Sequence, residues 1–238
     1  MAIYDLFAPH YDAVTGDSAT EAAFIDSIVK RAHPQPVTLL EVACGTGEII
    51  AALAGRYQVA GLDISPGMLA VARRKLPMGI PLHLADMSDF KLNAKFDAVI
   101  CVYHGINHLL RFADWKSFFG CVSSQLNDGG VLVFDIVTID DLRTIASVPE
   151  TVQQFGENYL RISVREGAEA VFDWNIELEL LENGRRELRT EVIRTASFPP
   201  EKIWAELTER FVNIEVIESD GGLSDSGNRI WFACTKPR

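Results

Sequence analysis

Val37-Thr38-Leu39-Leu40-Glu41-Val42-Ala43-Cys44-Gly45-Thr46-Gly47-Glu48 is an apolar run that stops at two glycines and then continues into a helical pattern. Gly45 and Gly47 carry no side chain and tolerate positive φ, so backbone N–H groups at such a turn can come close to a ligand. The stretch predicts a strand, a tight turn and a helix start, with a cofactor held at the turn.

Downstream, Ile49, Ile50, Leu53 and Ala54 give the helix a buried stripe that Gly55 closes. Tyr57 to Leu62 reads as a second strand ending at Asp63. Ser65-Pro66 then supplies a capping residue with proline at the first helical position, and Met68, Leu69 and Ala72 form the next apolar face. A short strand around Pro81 to Leu84 ends at Asp86, and a hydrophobic strand from Phe96 to Val102 ends at Tyr103-His104-Gly105. Asp114 is expected to cap a helix bearing Trp115, Phe118, Phe119, Val122 and Leu126. Asn127-Asp128-Gly129-Gly130 is expected to turn the chain into a strand from Val131 to Ile136. Upstream, Asp17 or Ser18 can cap a helix with Ala22, Ile25, Ile28, Val29 and Ala32 on one face, ending before Pro34. Residues 3 to 15, aromatic and acidic and broken by Pro9, predict a cover segment. Continuous apolar strands separated by helices imply an α/β fold with a parallel sheet covered on both faces.

Around residue 150 the pattern changes to alternating polar and apolar positions. Tyr159 to Arg165, Ala170 to Leu181 and Glu187 to Phe198 predict antiparallel strands with one wet face, and Glu182-Asn183-Gly184-Arg185 a hairpin turn. After Pro199-Pro200, Ile203, Trp204 and Leu207 suggest a last helix; Phe211 to Ile217 and Arg229 to Cys234 suggest two closing strands, with a polar loop from Gly221 to Gly227 between them. The chain therefore divides into a core at 1–150 with its cover segment, an antiparallel insertion at 151–198 serving as a substrate wall, and a closing segment at 199–238.

The 238 residues carry 22 basic and 33 acidic side chains, a net charge of −11 that repels phosphate backbones. Arg73-Arg74-Lys75 and Arg185-Arg186 are too short to reverse that field, so no nucleic-acid partner is expected. Cys44, Cys101, Cys121 and Cys234 are scattered without metal or redox spacing and read as reduced thiols. No signal-peptide pattern and no membrane-length apolar run is seen, which predicts a cytoplasmic protein without a membrane partner.

A glycine turn after a strand can serve any nucleotide. Asp63, at the end of the next strand about twenty residues on, adds a carboxylate able to take both ribose hydroxyls. Glu41, Asp86 and Tyr103 fall at the same edge, where ligands of open parallel sheets bind. Each acid alone could instead be a helix cap. A nicotinamide dinucleotide, and with it an oxidoreductase, suits the turn less well, because the third glycine is missing and no arginine follows Asp63.

Leu40 to Gly47, Gly61-Leu62-Asp63-Ile64-Ser65-Pro66-Gly67-Met68-Leu69 and Ala85-Asp86-Met87 resemble the first three motifs of class I S-adenosylmethionine-dependent methyltransferases. The resemblance extends through Phe96-Asp97-Ala98-Val99-Ile100 and Gly129 to Asp135, covering residues 1 to 137. It implies a Rossmann-like, doubly wound, mostly parallel seven-stranded sheet with an antiparallel β insertion. It also implies that Glu41 and the backbone at Ala43, Gly45 and Gly47 face the methionine portion of S-adenosylmethionine, with Asp63 on the ribose. Ile64 and Met68 of the second motif line the site, Asp86 holds the adenine amine and Met87 contacts the ring. Ala43 stands where the family often has glycine, which is tolerable if the backbone there is not left-handed.

Tyr4-Asp5 through Tyr11-Asp12 looks like the N-terminal segment of small-molecule methyltransferases, where a tyrosine lies over the methionine end. Tyr103 to Leu109 is similar to a subgroup acting on amines, including nucleotide-linked amino sugars, that carries a histidine there. The expected reaction is in-line methyl transfer to N or O of a small molecule, releasing S-adenosylhomocysteine. His108, then His104, are the candidate bases, with Tyr11 orienting the acceptor and Tyr103 offering a ring to the sulfonium. A protein that binds the cofactor without turnover is the competing reading. A monomer or homodimer is expected.

Overall fold

A computed structural model of the chain describes residues 4–16, 18–219 and 229–238. Its centre is a seven-stranded sheet in which β1 (Thr38–Val42) lies between β2 (Gln58–Asp63) and β4 (Phe96–Cys101), parallel to both. β3 (Leu82–Leu84) extends the sheet beyond β2, and β5 (Leu126–Ile136) extends it beyond β4, both in parallel. β11 (Arg229–Thr235) runs antiparallel to β5 and to the edge strand β10 (Val212–Ser219). The order is β3-β2-β1-β4-β5-β11-β10. The chain leaves β1 toward one edge and returns as β4 on the other side. Such a reversal opens a crevice at the carboxyl ends of the two strands.

Both faces of this sheet are buried, as its unalternating strands require. Leu40 and Val42 enter one core with Phe118, Phe119 and Phe134. Leu39 enters the other, with Ile25 and Ile28 of α2 (Ala19–Ala32), Ile50 of α3 (Glu48–Leu53) and Leu69 of α4 (Pro66–Lys75). α5 (Phe112–Gln125) and α7 (Pro200–Leu207) cover the first core. Ser65 caps α4 as expected, accepting a hydrogen bond from the Met68 N–H at 3.0 Å. Gly61, midway along β2, gives room to α3: a Cβ there would lie 2.5 Å from Ile50 Cδ1 and 2.8 Å from Cys44 Sγ.

One local expectation is corrected and another is shifted into a strand. Asp114 does not cap α5, which begins at Phe112; it sits in the first turn and accepts from the Arg111 guanidinium at 2.9 and 2.7 Å. A carboxylate in a first turn is favoured by the helix dipole without being the cap. Asn127 to Gly130 does turn the chain, but as a bulge inside β5 and not ahead of it: five steps from Leu126 to Val131 face two from Phe96 to Ala98, with Gly129 at φ 79°. β5 starts at Leu126 and runs through it, with an irregular register opposite Phe96 to Ala98, while Asn127 donates to the Asp97 carboxylate at 2.8 Å.

A second, four-stranded antiparallel sheet is formed by β6 (Thr151–Phe155), β7 (Asn158–Glu166), β8 (Val171–Glu182) and β9 (Arg185–Ala196). Asn183 and Gly184, at φ 51° and 74°, make the two-residue turn between β8 and β9. β6 and the helix α6 (Ile139–Ala146) were not foreseen. β6 is mostly exposed and carries no clear apolar period, whereas α6 does place Ile139, Leu142, Ile145 and Ala146 on one face, over only eight residues.

The N-terminal segment lies between the two sheets. A single 3₁₀ turn at Ala8–His10 precedes α1 (Tyr11–Thr15). Phe7, Tyr4 and Tyr11 pack on Leu160, Ile176, Leu178, Leu180 and Ile193 of the second sheet. On the other side, Asp5 accepts from Ser65 Oγ at 2.7 Å and the Gly67 N–H at 3.1 Å, and Asp12 accepts from Thr46 Oγ1 at 2.5 Å and Lys75 Nζ at 2.7 Å. The expected cover segment thus bridges both halves. Asp17 and the loop from Gly221 to Gly227 lie outside the described residues. Among the described residues no helix is long and apolar enough to cross a membrane.

Candidate active site

Beneath the N-terminal segment a pocket opens at the carboxyl ends of β1, β2 and β4. Its lining includes Glu41, Ala43 and Gly45 from the first turn, Asp63, Ile64 and Met68 from the second, and Asp86 and Met87 after β3. Tyr11, Tyr103 and His108 complete the predicted set. Gly47 and His104 are not among the lining residues. Gly47 caps α3 at φ 78°, and a Cβ there would meet Leu76 Cδ1 at 2.8 Å, so its role is close packing.

The floor is built on two carboxylates. Asp63 is 8% exposed and accepts from the Gly45 N–H and the Ser65 N–H, each at 2.8 Å. Burial raises its carboxyl above the usual range against those two bonds. Glu41, at the end of β1, is 3% exposed, and its Oε2 has no hydrogen-bond partner. Burial first, and the Asp63 charge second, hold the Glu41 carboxyl well above the ordinary value. A buried carboxylate oxygen without a donor is expensive, and a cationic or hydrogen-bonding ligand group would relieve it. Asp86 turns one oxygen to the Ser88 N–H and hydroxyl, at 2.7 and 2.8 Å, at the exposed end of the pocket.

Backbone strain concentrates here. Ala43 has φ 56°, Tyr103 54° and His104 48°, all left-handed and none of them glycine. The condition under which alanine at 43 would be harmless is therefore not met. Its backbone takes the conformation that glycine favours, and it does so beside Gly105, where a Cβ would come within 3.1 Å of the Ala43 Cβ. Residues held in such regions persist where surrounding structure fixes them, and they gather at functional sites.

The segment after β4 is fixed by polar bonds at nearly every residue. The His104 N–H donates to Asp135 Oδ1 at 3.0 Å, and Trp115 Nε1 donates to the Leu109 carbonyl at 2.8 Å. Buried Asn107 donates to the carbonyls of Val137 and Ala196 and accepts from the Val137 N–H, at 3.2, 2.8 and 3.1 Å. This amide joins the end of β5 to the end of β9 and sets His108 against the second sheet.

His108 Nδ1 lies 3.2 Å from the Arg194 carbonyl and Nε2 lies 3.3 Å from the Tyr4 hydroxyl. A carbonyl can only accept, so Nδ1 carries the proton. Burial lowers the imidazole to about 4, which leaves the ring neutral and Nε2 a bare acceptor. Tyr4 therefore donates to His108. His104 is pushed down to about 3 by burial and then by the Arg229 charge. Behind it Arg229 is enclosed at 1% exposure, 2.7 Å from Glu21 and 3.0 Å from Asp135, themselves 2% and 0% exposed.

Among the lining side chains given no site role in the sequence are Tyr4, Ser18 and Leu109. For Tyr4 a signal existed, because Tyr4-Asp5 repeats the pattern of Tyr11-Asp12 seven positions later. Ser18 accepts from the Tyr103 hydroxyl at 2.9 Å rather than capping α2 with its side chain.

Comparison with known proteins matches residues 39–130 to the family described as a methyltransferase domain. A dTDP-3-amino-3,4,6-trideoxy-alpha-D-glucopyranose N,N-dimethyltransferase of Streptomyces venezuelae is 33% identical over 69% of this chain and 70% of its own length. A dTDP-3-amino-3,6-dideoxy-alpha-D-glucopyranose N,N-dimethyltransferase of Streptomyces fradiae is 38% identical over 50% of this chain, which spans only 47% of that protein. Among solved structures, an S-adenosylmethionine-dependent methyltransferase of Clostridium acetobutylicum superposes with a TM-score of 0.82 over 100% of both chains, at 21% identity, a likeness of fold. CalS10, an amino pentose methyltransferase from Micromonospora echinaspora solved with S-adenosylmethionine bound, gives a TM-score of 0.75 at 26% identity over 97% of this chain and 96% of that one. With the three motifs on one crevice of a doubly wound sheet, the chain belongs to the S-adenosylmethionine-dependent methyltransferases.

Proposed function

We propose that the chain transfers a methyl group from S-adenosylmethionine to an amine nitrogen of a small molecule, with an amino sugar as the acceptor class. The observation that carries the reading is the composition of the single crevice. Orphaned Glu41 Oε2, the strand-end carboxylates Asp63 and Asp86, the apolar surfaces of Ile64, Met68 and Met87, the rings of Tyr4, Tyr11 and Tyr103 and the neutral imidazole of His108 line it together. The amino-sugar class is supported by the activities named for the relatives from Streptomyces.

The residues present fit the cofactor. Glu41 offers an unpartnered acceptor to an ammonium group, Asp63 retains acceptor capacity for ribose hydroxyls beside its two backbone bonds, and Asp86 has one oxygen outside its Ser88 contacts. When bound, S-adenosylmethionine supplies a methyl group already activated on a sulfonium. The chain's own work is then alignment and exclusion of water. Tyr11 and Tyr103 present π surfaces that favour a cation, and the N-terminal segment, tied to Ser65, Gly67, Thr46 and Lys75, covers the site. His104, outside the lining and held low by burial, is a weaker candidate base than His108. Among the described residues, none that lines the pocket comes from the expected substrate wall at 151–198; β9 backs the acceptor side only through its bonds to Tyr4 and His108.

Calorimetric titration tests the donor and product mass the reaction. S-adenosylmethionine should bind at micromolar levels and NAD should not, and a 3-amino-dideoxyglucose linked to dTDP should gain one methyl group. No binding of S-adenosylmethionine would refute the assignment, and binding without any acceptor in cell extract gaining a methyl would favour a non-catalytic holder.

A further inference from the structure

Tyr4 is held through both its main chain and its side chain. Its backbone has φ 68°, in the left-handed region, and its N–H donates to Glu191 Oε1 of β9 at 2.7 Å. Its ring packs edge-on against His108 and Tyr11, with centroids 5.4 and 5.9 Å apart, over the apolar face of the second sheet. Its hydroxyl reaches into the same pocket as Glu41 and Asp63 and hydrogen-bonds His108 Nε2. Three separate constraints, one on the main chain and two on the side chain, thus fix where that oxygen sits.

On the reading of the site as an amine methyltransferase, we propose that Tyr4 is the residue that contacts the acceptor, and that His108 acts through Tyr4 as a positioning residue rather than as the base. The chain of bonds has one possible direction. The Arg194 carbonyl accepts from Nδ1–H, which leaves Nε2 to accept from the Tyr4 hydroxyl, which leaves the lone pairs of that oxygen as acceptors facing the pocket. An acceptor N–H donates to Tyr4 Oη, and this turns the nitrogen lone pair away from the protein and toward the methyl group. In the transfer itself the N–C bond forms as the C–S bond breaks, the electron pair of that bond stays on sulfur, and the product leaves as an alkylammonium. No protein group has to take a proton in that step. The neutral imidazole suits the role, since a protonated ring would turn Nε2 into a donor and reverse the chain.

The roles separate in a double-mutant cycle and in the imidazole spectrum. With the dTDP-linked 3-amino sugar as probe, Tyr4→Phe is expected to lower kcat/KM by about tenfold to a hundredfold, and His108→Gln by a similar factor, with S-adenosylmethionine affinity within about twofold. In the Tyr4→Phe background, His108→Gln should cost less than about twofold more, because its effect passes through the missing hydroxyl. Independently of the acceptor, ¹⁵N spectra of the S-adenosylhomocysteine-bound protein should show the Nδ1–H tautomer at His108, and Tyr4→Phe should shift its unprotonated Nε2 signal. Additive losses, an unimpaired Tyr4→Phe, or an Nε2–H tautomer would each overturn the proposal. Failure of the wild-type protein to bind either adenosyl ligand would instead overturn the functional reading itself.

Discussion

At residue 43 a side chain stands in backbone territory that suits glycine. A left-handed residue with a Cβ costs about 1–2 kcal/mol, while glycine loses about 0.5–1 kcal/mol more entropy on folding. Ala43→Gly is therefore expected to stabilise the protein by about 0.5–1 kcal/mol, a rise in Tm of a few degrees for a chain of this size. Differential scanning calorimetry checks it, and a fall in Tm would mean that the Cβ contributes packing that outweighs its strain. Glu41 poses a second question of residue scale. Its carboxyl is held well above the usual range by burial and then by Asp63, a shift that favours the protonated form in the free protein. A cation docking on Oε2 favours the charged form and expels that proton. Binding of S-adenosylmethionine should thus release protons, tighten as pH rises, and lose both features in Glu41→Gln. Titration calorimetry in buffers of different ionisation heat measures the release directly, and an unchanged heat across buffers would contradict it.

Among the elements, the legible ones were those in which a continuous apolar run or a helical period is bounded by proline or glycine. β1, β2, β4, α2 and α4 follow from apolar period, proline and glycine, and the turn at Asn183-Gly184 from the demand for two positive φ values. What could not be read is tertiary. Asp135 and Arg229 stand on adjacent antiparallel strands and Glu21 on α2, more than a hundred positions from Asp135, and only the fold brings them into one buried cluster. Tyr4 was passed over because its role depends on β9 and His108, 187 and 104 positions away. The cluster also anchors the site, since Asp135 takes the His104 N–H. Removing one partner of a buried ion group leaves uncompensated charge, at a cost of about 3–5 kcal/mol. Arg229→Met should cost about that much in urea unfolding, with part recovered when Glu21→Gln and Asp135→Asn remove the opposing charges. No recovery would show that the guanidinium serves mainly by packing on Tyr103 and Trp231, whose ring centroids lie 5.6 and 5.1 Å from it.

Across the whole molecule, the two halves meet through uncharged imidazole. His108 joins the β4 segment to β9 and Tyr4, and its ring is held at about 4 against an ordinary 6.5. Because the folded value is depressed, the native and unfolded states bind protons equally little above pH 6.5, and no penalty exists there. As pH falls from 6.5 toward 4, the unfolded chain takes a proton that the native ring refuses, and stability drops. Glu41, Asp63 and Asp135 oppose this trend, since their carboxyls are raised and protonate in the native state first. The net slope is therefore a poor test, whereas the difference between wild type and His108→Gln isolates the imidazole. At pH 5 that difference should have moved by about 1–2 kcal/mol in favour of the variant relative to pH 7.5, less than the full shift because the ring is only partly buried. Urea unfolding at the two pH values reads it. Parallel loss of stability in the two proteins would place the acid-sensitive contact elsewhere, whereas convergence on acidification ties the joint between Rossmann-like core and second sheet to the same neutral ring that bonds the Tyr4 hydroxyl.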